Sequence, residues 1–401
     1  MKKIIGTIFA SLLVFNVSAQ DLNYSELTGG LNTITTAVPF LLISPDSKAG
    51  AMGDVGVATT PDANSIHWNP AKLAFVADDM GFSMSYVPWL RALVPDINLS
   101  YLAGYKKLSD KETVGLELRY FSLGDITFTN SNGDVLGQYK PSEFALGTAY
   151  SRKLSGNFSL AISGRYIYSN LTGGQYAGDT KTMAGQSIAA DIAGYYTKPI
   201  RIGGKDVDLA IGGNISNIGS KVSYTEEVED GVLTANFIPI NLRLGTSIGT
   251  DFDDYNKMSF AFDINKLLVP TPPVYKPGTS GSLPENILYG QDPNVSVVSG
   301  ILQSFGDAPG GIKEEFREIN YSIGTEYWYA NQFALRAGYF FEHNTKGGRK
   351  FFTFGSGVKY NVFALDFSYL INASRAINGN NPLGNTMRFT LVFDFGAIRE
   401  S

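Results

Sequence analysis

The stretch MRFTLVFDF, residues 387–395, alternates between two kinds of side chain along its whole length. One set is apolar and the other mostly polar: Met387, Phe389, Leu391, Phe393 and Phe395 in the first, and Arg388, Thr390, Val392 and Asp394 in the second. Because successive side chains of a β-strand point to opposite faces, this pattern predicts a strand with one apolar and one mostly polar face.

Thirteen further segments upstream share this alternation, which makes fourteen predicted strands. We place the fourteen at 80–88, 96–105, 112–122, 142–151, 157–169, 185–197, 206–216, 238–249, 256–265, 316–328, 331–342, 350–360, 362–372 and 386–396. Segments of about ten alternating residues between turn residues are typical of transmembrane β-barrels.

The connections between the predicted strands mostly alternate between short and long along the chain. Even-numbered strands are followed by short turns, whereas most odd-numbered strands are followed by long polar loops at 123–141, 170–184, 217–237, 266–315 and 373–385. Outer-membrane barrels have short periplasmic turns and long external loops, while a Greek-key sandwich has no reason to sort its loops in this way. We therefore predict an all-β fold: a 14-stranded antiparallel transmembrane β-barrel over residues 80–401.

The composition agrees with a membrane barrel and excludes other classes. Charged residues make up 17% of the chain, against about 25% in soluble domains. The chain has no cysteine, which excludes disulfides, zinc–cysteine sites and a lipoprotein anchor. The net charge is −5 and no basic block occurs, so we expect no nucleic-acid partner.

The first nineteen residues have the features of a secretory signal peptide. A positive start, MKK, precedes an apolar stretch from Ile4 to Val17, and Val17-Ser18-Ala19 forms a small-residue cleavage pattern. We predict a signal peptide over residues 1–19, export, and a location in the bacterial outer membrane.

The inward faces of the predicted strands carry charges of both signs. They are Arg119, Arg165, Arg243, Arg336 and Arg388, with Glu117, Asp191, Asp263, Glu326, Asp366 and Asp394. Ion-selective pores tend to carry rings of one sign, so the mixture favours a network of paired charges in the lumen over a selective pore.

Fourteen strands enclose more space than side chains alone fill. The segment 20–79 lacks sustained alternation, is rich in turn residues and includes large aromatic side chains. We predict that it forms an N-terminal plug, or hatch, which enters the lumen from the periplasmic end.

Two runs in this segment carry a family resemblance. AGAMGDVGVA at 49–58 and WNPA at 68–71, with PDA at 61–63 between them, resemble the hatch of the long-chain fatty-acid transporter superfamily. The run from Ser44 to Phe75 is more similar still to the PorV family of the type IX secretion system of Bacteroidota. The hatch residues that we single out are Gly50, Met52, Gly53, Asp54, Trp68, Asn69 and Pro70.

The resemblance implies a function in protein secretion. Members of this family bind the C-terminal signal domains of cargo and carry them from the large type IX translocon barrel to a sortase-like attachment complex. Outer-membrane lipid and lipopolysaccharide would surround the barrel. The wider superfamily implies an alternative, a channel for uptake of hydrophobic small molecules such as long-chain fatty acids.

The loop 266–315 is the strongest candidate for a partner-binding surface, because it combines prolines with large apolar residues. A disordered loop is the alternative. The candidate contacts are Leu267, Leu268, Val269, Val274, Tyr275, Ile287 and Leu288, together with Trp89 and Leu90 in the first external loop, which could instead belong to an aromatic belt.

Neither histidine suggests catalysis. His67 is expected to anchor the plug beside Trp68, and His343 is expected in a solvated loop. No HxE or HExxH pattern occurs, and no triad can be assembled from the sequence. We expect no catalytic residue, no cofactor and no metal, and we do not expect an enzyme.

Overall fold

The computed structural model describes residues 31–91, 94–129, 132–177, 180–226, 228–229, 232–233, 235–277, 283–373 and 384–396. The predicted signal peptide and residues 20–30 of the predicted plug lie outside these ranges. Fourteen antiparallel strands close into a barrel, which confirms the predicted fold class. Within the described ranges, no helix is long and apolar enough to cross a membrane.

The barrel strands follow one another around the wall in chain order. They are β1 (Met80–Pro88), β2 (Asn98–Lys107), β3 (Glu112–Ser122), β4 (Ser142–Lys153), β5 (Phe158–Asn170), β6 (Gly185–Ile202), β7 (Lys205–Gly219), β8 (Asn241–Asp251), β9 (Asn256–Leu267), β10 (Asn320–Tyr329), β11 (Phe333–Phe341), β12 (Lys350–Tyr360), β13 (Phe363–Asn372) and β14 (Met387–Phe395). Pairing of β1 with β14, with Phe82 opposite Phe393, closes the barrel.

The predicted alternation determines which side chains face the lumen. On β14, Arg388 is buried inside the barrel, whereas Phe389 on the next position is exposed on the outer surface. Phe82 and Phe393 stack on that outer surface with ring centroids 4.7 Å apart. The outer face is therefore the apolar band that a bilayer requires.

Turn lengths distinguish the two ends of the barrel. Every even-numbered strand up to β12 is followed by a short turn, such as residues 203–204 after β6, and the long loops all lie at the other end. We call the end with the short turns the periplasmic end and the other the external end.

Two predicted strand boundaries were wrong by more than three residues. The sixth strand was expected to end at residue 197, but it continues to Ile202. The tenth strand was expected to begin at residue 316, but it begins at Asn320 because residues 312–317 form a short helix. Its apolar residues Ile312 and Phe316 are four positions apart, which suits a helix face and not a strand face.

The N-terminal segment, residues 31–79, consists of short helical turns joined by loops. They are a 3₁₀ turn at Pro39–Leu42, α1 (Ser47–Ala51), α2 (Ser65–Trp68) and a second 3₁₀ turn at Pro70–Phe75. Most of its side chains are buried against inward-facing residues of the wall. Glycines of the wall make room for it: a Cβ added at Gly338 would lie 2.1 Å from the carbonyl carbon of Met52.

The segment runs through the lumen from one end to the other. At its start, the Asn32 amide donates to Pro272 O at 3.2 Å and to Glu314 Oε1 at 3.0 Å, both in the longest external loop. At its end, Asp79 O accepts from Lys107 N at 2.8 Å beside a periplasmic turn. The sequence predicted the connection at the periplasmic end but not that the chain reaches the external loops.

The longest external loop, residues 268–319, is folded over its described residues. It contains a small hairpin of Val274–Tyr275 with Ile287–Tyr289, a 3₁₀ turn at Pro284–Asn286, and two helices, α3 (Val297–Gln303) and α4 (Ile312–Arg317). Further short hairpins in other external loops pair Ile126–Thr129 with Val135–Tyr139, Tyr176–Ala177 with Thr180–Lys181, and Val228–Glu229 with Val232–Leu233. Asn344–Lys346 forms a 3₁₀ turn.

Candidate functional site

The Trp68-Asn69-Pro70 turn is buried inside the barrel. The Asn69 side chain is fully buried: its Oδ1 accepts from Ala71 N at 3.1 Å, and its Nδ2 donates to Val57 O and Gly194 O, each at 3.0 Å. Asn69 thus caps the 3₁₀ turn that begins at Pro70 and bonds the segment to β6. These contacts give the Asn-Pro pair a structural role.

Trp68 connects the two helical parts of the segment. Its indole Nε1 donates to Asp46 Oδ2 at 2.7 Å, and Asp46 Oδ1 accepts from Ala49 N at 2.9 Å as the N-cap of α1. Burial, aided by the negative charge of Asp62, raises the pKa of Asp46. One carboxylate therefore joins the glycine-rich run to the Trp-Asn-Pro turn.

The glycine-rich run is held by polar side chains of the wall. Asp263 Oδ2 on β9 accepts from the backbone N–H groups of Gly56 and Val57 at 2.8 and 3.0 Å. Thr353 Oγ1 on β12 accepts from Gly53 N and donates to Ala51 O, both at 2.8 Å. The wall therefore satisfies backbone groups that a chain without regular structure leaves free.

The other predicted hatch residues lie in the same region. Met52 is buried against Ala261, and Gly53 has a φ of 73°, the left-handed region that favours glycine. Gly50 lies against the Arg388 side chain, and Asp54 Oδ1 is 3.6 Å from Arg388 Nη2.

The predicted lumen charges fall into two paired groups and several separate residues. Arg165 Nη2 lies 2.6 Å from Glu117 and 3.2 Å from Asp191. On the opposite side of the barrel, Arg336 lies 2.6 Å from both Glu326 and Asp366. These groups join β3 with β5 and β6, and β10 with β11 and β13, so they stabilise the wall around the N-terminal segment.

The remaining lumen charges have other partners. Asp394 accepts from the Tyr105 hydroxyl at 3.3 Å near the periplasmic end. Arg119 Nη1 donates to the carbonyls of Phe40 and Leu41 at 3.1 and 2.7 Å, and Arg243 Nη1 donates to His67 O at 3.0 Å. No carboxylate of the described residues lies within 4.0 Å of either guanidinium.

Two cavities flank the N-terminal segment. The one toward the external end has a volume of about 270 Å³, and its wall includes Trp68, Arg243, Glu342 and Arg349. The one toward the periplasmic end is about 680 Å³ and is lined in part by charged residues such as Lys48 and Lys257. Both walls therefore carry charge.

Buried ion pairs fix the longest external loop to the barrel rim. Lys266 Nζ on β9 lies 3.0 Å from Glu315 and 2.6 Å from Glu318, while Lys346 Nζ lies 2.6 Å from Glu314 and 2.9 Å from Glu318. All five side chains are buried. The end of α4 is therefore held rigidly over the barrel mouth.

Two of the predicted partner contacts were wrong. Leu268 and Val269 are buried in a core cluster with Phe40 and Ile238, so they are unavailable to a partner. They follow β9 directly, where the chain turns inward over the lumen and packs on the N-terminal segment.

The other predicted contacts differ in exposure. Val274, Tyr275 and Ile287 are half-buried in the small hairpin, Leu288 is exposed, and Leu267 lines the external cavity. In the first external loop, Leu90 is half-buried and Trp89 packs against the core cluster. These residues remain predictions as partner contacts.

The structure adds apolar residues that the sequence analysis missed. Five large apolar side chains on α3, on α4 and between the two helices are more than half exposed: Val298, Leu302, Phe305, Ile312 and Phe316. We call them the loop-helix apolar residues. The sequence does contain an indication of them: the apolar residues Val298 and Leu302, and likewise Ile312 and Phe316, are four positions apart, as on one face of a helix.

His67 also has a more specific environment than predicted. It is buried, its ring meets the Trp68 ring edge-on at 4.7 Å, and its Nδ1 lies 2.8 Å from Arg119 Nη2. His343 instead caps the turn at Asn344–Lys346. Over the described ranges, no group of three or more histidine or acidic residues could hold a metal ion.

Comparison with known proteins identifies the family. The family model described as "Type IX secretion system protein PorV" matches residues 27–274, more than half of the 401 residues. The match covers the N-terminal segment and β1 to β9. No curated protein sequence matches the chain.

Solved structures with a similar shape are distant in sequence. The Ralstonia pickettii toluene transporter TbuX is 11% identical with a TM-score of 0.46, over 87% of this chain and 98% of that one. The CymD monoaromatic hydrocarbon channel is 14% identical with a TM-score of 0.48, over 88% and 98%. A Pseudomonas aeruginosa FadL homologue is 11% identical with a TM-score of 0.41, over 91% and 99%.

The family match over more than half of the chain shows that the chain belongs to the PorV family of type IX secretion system proteins, and its closed barrel agrees with a place in the outer membrane.

Proposed function

We propose that this protein binds the C-terminal signal domains of secreted cargo at its external end and carries them from the type IX translocon barrel to the sortase-like attachment complex. The observation that carries the proposal is the set of loop-helix apolar residues, of which Ile312 and Phe316 lie on a helix that buried ion pairs hold at the barrel rim. Family membership supports a role in type IX secretion, and we assign the binding of a protein partner to this exposed apolar surface.

The exposure of these residues supports protein binding. Leu302 is 71% exposed and Phe316 is 63% exposed, although a solvated loop has no need of either side chain. Exposed groups of large apolar residues mark interaction sites in soluble regions, and aromatic side chains are frequent among the residues that dominate binding energy.

The rigidity of α4 supports the same conclusion. Lys266 and Lys346 fix Glu314, Glu315 and Glu318 at the barrel rim, so the helix is ordered before a partner arrives. A surface that is already ordered loses less conformational entropy on binding, and this raises affinity without further contacts.

We further propose that residues 20–79 act as a plug, so that cargo stays outside this barrel and does not pass through it. The hydrogen bonds of Asn69, Asp263 and Thr353 between this segment and the wall support a closed lumen. In this proposal residues 80–401 form the membrane domain, with lipid and lipopolysaccharide around its outer apolar band.

The alternative, a channel for long-chain fatty acids or similar molecules, has weaker support. A hydrophobic ligand needs a mostly apolar pocket that opens to the outside. The external cavity instead has Arg243, Glu342 and Arg349 in its wall, and the N-terminal segment lies directly beneath it.

The proposal is tested by binding of a purified cargo signal domain to the detergent-solubilised protein. We expect the double variant Leu302→Ser/Phe316→Ser to bind at least about tenfold more weakly, because loss of a hot-spot side chain costs more than about 1 kcal/mol. The matched control, Leu154→Ser/Phe252→Ser, removes exposed side chains from two periplasmic turns and should bind normally. Equal affinity of both variants would refute the assignment of the surface.

A further inference from the structure

Three buried arginines meet His67 in the interior of the barrel. Arg119, Arg165 and Arg243 line a cavity of about 10 Å³ together with His67, and Leu41, Ser216 and Asn217 complete its wall. All four basic side chains are more than nine-tenths buried. The hydrogen bonds from Arg119 and Arg243 to backbone carbonyls of the N-terminal segment leave other donors of this cluster unexplained.

The hydrogen bond between Arg119 and His67 determines which nitrogen of the imidazole carries the proton. A guanidinium only donates hydrogen bonds, so His67 Nδ1, which lies 2.8 Å from Arg119 Nη2, must be the acceptor. Burial and the nearby charges of Arg119 and Arg243 hold the pKa of His67 well below its usual range. The imidazole is therefore neutral, and its single proton is on Nε2.

Two donors at this cluster have no partner among the residues that the structure describes. His67 Nε2 and Arg243 Nε are both buried there without a hydrogen bond. The residues that carry them are only 5% and 3% exposed. A buried donor without an acceptor is costly, and here two such donors belong to residues that line one small cavity.

The charges around the cavity do not balance. Glu117 and Asp191 both pair with Arg165. Arg119 and Arg243 contact carbonyl oxygens and the faces of Tyr101 and Trp68, at 5.4 and 5.2 Å from the ring centroids. Asp46 and Asp263 act on Arg119 and Arg243 only from beyond ion-pair distance, so these two guanidinium groups have no carboxylate within 4.0 Å among the described residues, and a buried charge without a close partner is unfavourable.

We propose that this cavity binds one monovalent anion of about the size of chloride, which accepts hydrogen bonds from His67 Nε2 and Arg243 Nε. The cavity has room for about one small species, which excludes sulfate and organic carboxylates. Because His67 belongs to the N-terminal segment and Arg243 to β8, the anion holds the segment against the wall.

The first test uses anomalous scattering from crystals of the unmodified protein grown in bromide in place of chloride. We expect an anomalous peak within hydrogen-bonding distance of His67 Nε2 and Arg243 Nε. Density for a water molecule without an anomalous signal would overturn the proposal. This measurement needs no variant and therefore does not depend on whether a variant folds.

The second test is thermal unfolding in detergent at constant ionic strength, with gluconate exchanged for chloride. We expect a saturable rise in melting temperature of about 2 °C or more, since a ligand that binds only the folded state stabilises it. The rise should disappear in Arg243→Gln and persist in the control Arg201→Gln, whose side chain is 75% exposed. Equal melting temperatures of the unmodified protein in both salts would contradict anion binding.

Discussion

Replacing Asn69 with alanine removes three hydrogen bonds from the inside of the barrel while leaving the backbone of the Pro70 turn in place. The lost cap on Ala71 N costs about 1 kcal/mol by analogy with other cap residues. The carbonyls of Val57 and Gly194 also lose the Asn69 amide, and each buried carbonyl left without a donor costs about 1 kcal/mol or more. We therefore expect Asn69→Ala to lower the free energy of unfolding by about 3 kcal/mol.

The assay is equilibrium unfolding in urea of the protein refolded into lipid vesicles. The matched control is Asn98→Ala, because the Asn98 amide donates at 3.1 Å to Asp96 O at an exposed site. We expect the control to change stability by less than about 0.5 kcal/mol. If Asn69→Ala unfolded at the same urea concentration as the control, the role assigned to the Asn-Pro turn would be wrong.

Three further predictions concern a wall glycine, a buried carboxylate and the path of the chain. Gly338→Ala places a Cβ 2.1 Å from the carbonyl carbon of Met52 and should destabilise the protein by about 3 kcal/mol in urea unfolding. The control Gly164→Ala, where no described atom lies within 4 Å of the added Cβ, should not. Equal urea midpoints of the two variants would contradict the close packing. Burial, with the negative charges of Glu315 and Glu318, raises the pKa of Asp307 to about 6, so the folded state loses stability relative to the unfolded state as the pH rises from about 4 to about 6. Asp307→Asn should therefore be more stable than the unmodified protein at pH 7.5, by about 2 kcal/mol, and equal to it near pH 4; a variant that is less stable at pH 7.5 would reverse the sign of this argument. Leu31→Cys replaces an exposed residue next to the external loops and should react in intact cells with a membrane-impermeant maleimide. Leu154→Cys, in a periplasmic turn, should not react. The opposite pattern of labelling would invert the proposed orientation.

The wall of the barrel could be predicted because its signal is local. Alternation with a period of two assigns Arg388 to the lumen and Phe389 to the lipid from nine residues of sequence, and the structure agrees at both positions. The lengths of the turns then distinguish the two ends without any knowledge of distant contacts.

The contents of the lumen and the external loop could not be predicted to the same depth, because they depend on contacts between distant segments. Leu268 is buried only because Phe40 and Ile238 lie against it. Arg165 and Arg243 both face the lumen, but among the described residues only Arg165 has carboxylates within 4.0 Å, from Asp191 on the next strand and from Glu117 two strands away. Sequence spacing cannot distinguish these two arginines.

The loop-helix apolar residues illustrate a second limit. Apolar residues four positions apart predict a helix face, but the same spacing serves a buried face and an exposed one. Only the fold over the barrel rim determines that Leu302 and Phe316 point away from the core.

Site-specific photo-crosslinking in the native outer membrane tests the central claim most directly. A photoreactive amino acid is placed at position 316 in α4 or, as the control, at position 252 in a periplasmic turn, and the adducts are identified by mass spectrometry. We predict adducts at position 316 with proteins that share a C-terminal signal domain, and none of these at position 252. Absence of such cargo from the adducts at 316, or equal amounts at both positions, would contradict cargo binding by the loop helices.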